Sequence, residues 1–242
     1  MKRQKALKLA LEGLLLAGML GFGPCAGLSG TPAHAADHPA TVKVAVLDTG
    51  VDVTHFALKG RVIASVNLTD SETESDVNGH GTHVAGIIVS NSTNVVILNV
   101  KVACDSGVTT PGTIAKGIIW ATENGARIIN ISLTVSQAND DLKKAVSLAI
   151  NRGIVVVAAA GNDGAASPAH PAACPGVISV GATDDKGNIA VWSNGGSAVS
   201  VVAPGVDVVS TIPGNSWGKK SGTSQAAALV TAKIAANLLN RA

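Results

Sequence analysis

Four stretches of this sequence, residues 42–47, 95–102, 127–131 and 154–159, are mainly apolar and short. Runs of that length and character are the signature of strands buried on both faces, as in a parallel sheet covered by helices. Helical segments alternate with them. Residues 81–90 follow an Asn78-Gly79 turn. Residues 111–124 begin with Pro111 and end before Gly125, and the amphipathic stretch 140–151 stops at Gly153. Proline just inside a helix start and glycine just past its end are what helix termini favour. Residues 177–180 and 199–203 read as further strands, and 223–239 as a last helix. The pattern predicts an α/β fold: three layers, a mostly parallel sheet with helices on both faces, compact and short at its C-terminal end. No repeat or linker divides the chain, so one domain is expected over residues 36–242.

Composition sets limits on function. With no Tyr, two Phe and three Trp in 242 residues, the core must be aliphatic, and no base-stacking nucleic-acid platform is available. The formal charge is +2, but residues 1–35 hold four basic residues and one acid, Glu12. Lys2, Arg3, Lys5 and Lys8 precede an apolar run, and small residues around Ala33-His34-Ala35 close it. That layout predicts a secretory signal peptide over residues 1–35 and an exported protein. The apolar run is short and interrupted by Gly, which disfavours a membrane anchor. The remainder carries fourteen basic and fifteen acidic residues, net −1, so no polyanion-binding patch is expected. Cys104 and Cys174 remain in it, either as a disulfide or as two separate thiols.

In a parallel α/β sheet functional groups gather beyond the carboxyl ends of the strands. Asp48 ends the first strand, in Leu47-Asp48-Thr49-Gly50. Alone it reads equally as a turn former, a metal ligand or a phosphoryl acceptor, with Asp52 as a partner at a magnesium site. His80 and His83 lie in Gly79-His80-Gly81-Thr82-His83. Helical zinc ligands usually stand four apart with an acid between, which does not hold here. His83 is therefore expected to be a hydrogen-bonded structural histidine. Asn162 follows the fourth strand in a Gly161-Asn162-Asp163-Gly164 segment that by default is a turn. Ser224 opens the last helix in Gly222-Thr223-Ser224-Gln225. It is either a plain cap or a group placed where free N–H donors favour developing negative charge.

Taken together and in this order, these four motifs resemble those of the subtilisin-like serine proteases, over residues 41–240. The resemblance implies a serine endopeptidase acting on polypeptides. Ser224 would be the nucleophile, His80 the general base and Asp48 its orienting acid. Asn162 and the Ser224 backbone N–H would form the oxyanion hole. Ser132, Leu133 and Thr134 would bind substrate as an added strand, Thr134 standing where the family usually has Gly. Ala159, Ala160 and Gly161 would wall the first specificity pocket and favour an uncharged side chain. The same resemblance implies no cofactor, no nucleic-acid partner, no membrane association after signal removal, and a monomer; the family's usual calcium loop is expected to be absent, because residues 90–94 join helix to strand directly. The expected chain has no pro-domain, has Ala228 where a Pro is usual and Gln225 where Met is usual. The expected lack of a pro-domain, Thr134 and the short C-terminal end motivate an alternative: a weak or inactive homologue that binds peptides. A phosphoryl-transfer reading based on Asp48 and Asp52 ranks below both, because no Gly-rich loop with Lys is present.

Overall fold

The computed structural model describes residues 41–239. In chain order the elements are β1 (Val42–Asp48), β2 (Val62–Asn67), α1 (His80–Ser90), β3 (Val95–Lys101), α2 (Pro111–Glu123), β4 (Ile128–Ile131), α3 (Asp140–Asn151), β5 (Val155–Ala159), β6 (Ile178–Thr183), β7 (Val201–Pro204), β8 (Val208–Ile212), β9 (Ser216–Lys220) and α4 (Thr223–Leu239). The first seven strands form one sheet in the order β2-β3-β1-β4-β5-β6-β7, and every neighbouring pair is parallel. The chain thus winds outward from β1 on one side, returns, and continues through β4 on the other. β8 and β9 form a separate antiparallel hairpin.

Successive residues of a strand point to opposite faces, and β1 shows what that does to the core. Val44 and Val46 pack with Ile87 and Ile88 of α1 and Ala226–Ala228 of α4. Ala45 and Leu47 point the other way, into a cluster with Ile114 and Ile118 of α2 and Leu142 and Val146 of α3. Two helices therefore cover each face, which is the three-layer arrangement the apolar strands predict. The helix ends follow local chemistry. The Thr110 side chain accepts from Thr113 N, with Pro111 in the first turn of α2. The Asn139 side chain accepts from Leu142 N at the start of α3, whose first turn also carries Asp140 and Asp141.

Three strands escape the sequence reading. β2 is an edge strand of alternating exposure with a bulge between Val62 and Ala64. It lacks the uninterrupted apolar run that marks its neighbours. β8 and β9 are held by distant side chains rather than by their own pattern, as the site shows below. Residues 91–94 alone join α1 to β3. Cys104 and Cys174 are both free, Cys174 buried and Cys104 partly exposed. Residues 1–35, read as a signal peptide, lie outside the described residues. No helix among the described residues is long and apolar enough to cross a membrane.

If the aliphatic filling between β4, α2 and α3 carries the stability, truncating its centre must be costly. Ile129 is completely buried there. Ile129→Ala is expected to destabilise by about 2–5 kcal/mol in urea unfolding. Val191→Ala, at a position 94% exposed, should change stability by less than about 0.5 kcal/mol. Equal effects would refute the layered-core account.

Candidate active site

β1, β4 and β5 are adjacent and parallel, so their carboxyl ends share one edge of the sheet. Asp48 ends β1, Ser132 follows β4, and Asn162 lies three residues beyond β5. α1 and α4 both begin at this edge, with His80 as the first residue of α1 and Ser224 as the second of α4. Crossover topology thus brings together residues that are up to 176 positions apart in the sequence.

Asp48 is 1% exposed. Its Oδ1 accepts a 2.6 Å hydrogen bond from His80 Nδ1 and a 2.8 Å bond from Thr49 N. A carboxylate can only accept, so Nδ1 carries the proton and Nε2 is left as the basic nitrogen. Burial of the His80 ring disfavours its charged form, but the Asp48 charge and hydrogen bond outweigh this, and its pKa is raised above 6.5. Lys220 opposes that rise and Asp76 adds to it. The glycine after His80 is what permits the approach. A Cβ on Gly81 would lie 2.1 Å from Gly50 O and 3.0 Å from Asp48 Cβ, so any side chain there would force α1 away from β1.

At the start of α4, Asn162 Oδ1 accepts from Thr223 N at 2.9 Å and from Thr223 Oγ1 at 3.0 Å. Thr223 Oγ1 in turn accepts from Gly161 N at 3.1 Å. These bonds fasten the loop after β5 to the helix and fix which way the Asn162 amide faces. Its Nδ2 donates to no partner among the described residues. The Ser224 N–H, in the first helical turn, is likewise unengaged there. A methyl group placed on Gly222 would sit 2.8 Å from Gln225 Oε1, 3.4 Å from Asn162 Nδ2 and 3.7 Å from Ser224 N. The two donors thus lie close to one another beside Gly222.

The Ser224 hydroxyl does not bond His80 in this structure. It donates to Ser132 O at 2.9 Å, while Ser132 Oγ donates to Ser224 O at 3.2 Å. His80 and Ser224 nevertheless line one cleft of about 460 Å³, together with Ala159 and Asn162 and the segments 107–109 and 132–134. In sites of this kind the serine–imidazole bond often tightens only with substrate bound. Ser132, Leu133, Thr134 and Ala159 stand in the cleft wall. Ala160 and Gly161 follow Ala159 and are both buried, with Ala160 O accepting from Asn194 Nδ2 at 3.0 Å.

Two further residues complete the picture: His83, expected as a structural histidine, and Asp76, which the sequence reading did not single out. His83 is fully buried, its Nε2 3.1 Å from Val208 O and 3.2 Å from Gly218 O. Burial lowers its pKa, so it stays neutral and ties the β8–β9 hairpin to α1. Asp76 is a buried carboxylate that accepts from Thr49 Oγ1, Gly79 N and Thr82 N. An acid just upstream of a helix start is an ordinary capping signal and could have marked it. Its link to Thr49 is purely tertiary.

Comparison with known proteins agrees with this geometry. The model of the Subtilase family matches residues 40–242. The chain is 45% identical over 195 residues to a thermophilic serine proteinase of Bacillus sp. (strain AK1), covering 76% of this chain and 49% of that protein. It is 43% identical over 194 residues to Subtilisin Savinase of Lederbergia lenta, covering 76% and 71%. It thus spans about half the length of the first relative and more of the second. Its fold is similar to that of a cold adapted subtilisin-like serine proteinase, with a TM-score of 0.78 and 33% identity over 88% of this chain and 81% of that one.

The contact at Gly81 gives a direct test of the site's construction. Gly81→Ala is expected to lower stability by about 1–3 kcal/mol through overpacking. It should also abolish the downfield proton resonance of the short His80–Asp48 hydrogen bond. A variant that keeps both the resonance and the melting temperature would show that the close approach is not required.

Proposed function

This chain belongs to the Subtilase family, and on that footing we propose that it is a serine endopeptidase. The observation that carries the reading is the convergence of three things on one cleft: an imidazole oriented by a buried carboxylate, a serine at a helix N-terminus, and two unengaged N–H donors. Ser224 Oγ attacks the scissile carbonyl carbon and its proton passes to His80 Nε2. Asp48 keeps the imidazole in the required tautomer and stabilises the imidazolium. The carbonyl oxygen, now an oxyanion, is held by Asn162 Nδ2 and the Ser224 N–H. Collapse breaks the C–N bond, and His80 returns the proton to the leaving amine. Water then cleaves the acyl-enzyme by the same route.

The substrate is a polypeptide that lies along residues 132–134 as an added strand. Thr134 narrows the cleft there, and Ala159 favours an uncharged side chain at the first subsite. The chemistry draws only on this chain's own groups. Residues 1–35 serve as an export signal, and the exported chain acts as a monomer outside the cytoplasm. A second reading, peptide binding without turnover, is favoured by one contact, the Ser224 hydroxyl bonded to Ser132 rather than to His80.

A fluorophosphonate probe separates the two readings. It should label the wild type and leave Ser224→Ala unlabelled; a folded wild type that resists labelling would sink the enzyme reading. Ser224→Ala should lower kcat by roughly 10⁶, the magnitude known from subtilisin itself. Asn162→Ala should lower kcat by roughly 10²–10³ with little change in KM, again as in subtilisin.

The pH dependence follows from the raised pKa of His80. The base works unprotonated, so kcat/KM should climb with pH through a midpoint above 6.5. Stability runs the other way: the contribution of the charged pair is complete below pH 6.5 and is lost as pH rises through the folded-state pKa. A midpoint below 6.5 in the rate profile would contradict the assignment of Asp48 as the dominant neighbour.

A further inference from the structure

The mechanism uses one buried carboxylate, yet a second lies in the same network. Asp76 is 3% exposed. Its Oδ1 accepts from Thr49 Oγ1 and from Gly79 N, both at 2.8 Å, and its Oδ2 accepts from Thr82 N at 2.7 Å. None of these partners is a cation. A helix cap needs only the two backbone donors of the α1 terminus, and the bond to Thr49 is additional.

Thr49 is the residue through which Asp48 is held. The Asp48 Oδ2 has no hydrogen-bond partner among the described residues. Its carboxylate is oriented through Oδ1, to which Thr49 N and His80 Nδ1 donate, at 2.8 and 2.6 Å. The Thr49 hydroxyl donates to Asp76 and accepts from Gly81 N at 3.0 Å. One side chain thus grips both the loop that presents the acid and the helix turn that presents the base.

Building on the protease reading, we propose that Asp76 is a positioning residue for the Asp48–His80 pair. It clamps the two elements through Thr49, Gly79 and Thr82, and places a second negative charge near the imidazolium that forms during catalysis. The charged and titratable groups around His80 are Asp48 from β1, Asp76 from the segment before α1, Lys220 from β9 and His83 on α1 itself. Asp48 and Asp76 favour the protonated ring and Lys220 opposes it. Removing the Asp76 charge therefore shifts the balance toward the neutral ring.

The test is Asp76→Asn in the full chain, which keeps the shape, removes the charge and turns one acceptor into a donor. Small misplacements at a reacting centre cost up to about 10²-fold, so kcat should fall by roughly 10- to 100-fold with KM within about twofold. The midpoint of the kcat/KM profile should move to lower pH. The His80 ring titration, followed by NMR in a Ser224→Ala background, should move the same way. Thr49→Val separates clamp from charge: kcat should fall while the His80 titration midpoint stays in place. A folded Asp76→Asn with the wild-type titration midpoint and kcat overturns the proposal. If that variant does not fold, an unreduced kcat in Thr49→Val overturns it instead. A wild type that neither labels nor cleaves peptide would refute the protease reading alone, and the NMR titration would still decide the role of Asp76.

Discussion

A carboxylate kept from water is costly unless donors surround it, and the hydrogen bond between Asp48 and His80 rests on how this chain meets that cost. Asp48 is presented at the end of a fully covered strand, so its environment is set by the sheet rather than by solvent. Its Oδ1 accepts from Thr49 N and from the imidazole, with the Thr49 hydroxyl a longer 3.4 Å away. The first turn of α1 must therefore sit hard against the end of β1. That requires a glycine at 81, a turn at Gly79, and an acceptor for the free N–H groups of α1, which Asp76 provides. The motif around His80 is thus as much a packing requirement as a chemical one.

The other half of the site depends on a different junction. Asn162 uses its carbonyl oxygen to satisfy the start of α4 and so turns its amide nitrogen outward. The same bonds set the distance between the loop after β5 and Ser224. An asparagine suits this position because it has both an acceptor for the helix terminus and donors for the cleft. An aspartate would keep the acceptor and lose the donors.

Much of this was legible in the sequence, and the limits of legibility are physical. The two-sided strands announce themselves because both faces are covered, leaving few polar positions to break the run. Asp48, His80, Asn162 and Ser224 stand out because the backbone around each must approach another element closely, which forces small residues into recognisable motifs. β2 is hidden because an edge strand needs burial on only part of its surface. The β8–β9 hairpin is hidden because its docking is tertiary: Ser210 Oγ donates to His83 O and Thr211 Oγ1 to Thr82 O, across 127 and 129 residues. The link from Asp76 to Thr49 is hidden for the same reason, since the two lie 27 residues apart.

The hydroxyl of Ser224 connects the two junctions. Bonded to Ser132 O, it is held by the strand-end segment that would also carry the substrate backbone. On the function proposed above, a peptide laid along residues 132–134 would run past the segment that holds the Ser224 hydroxyl, whereas Asp48 and His80 are held by a separate network through Thr49.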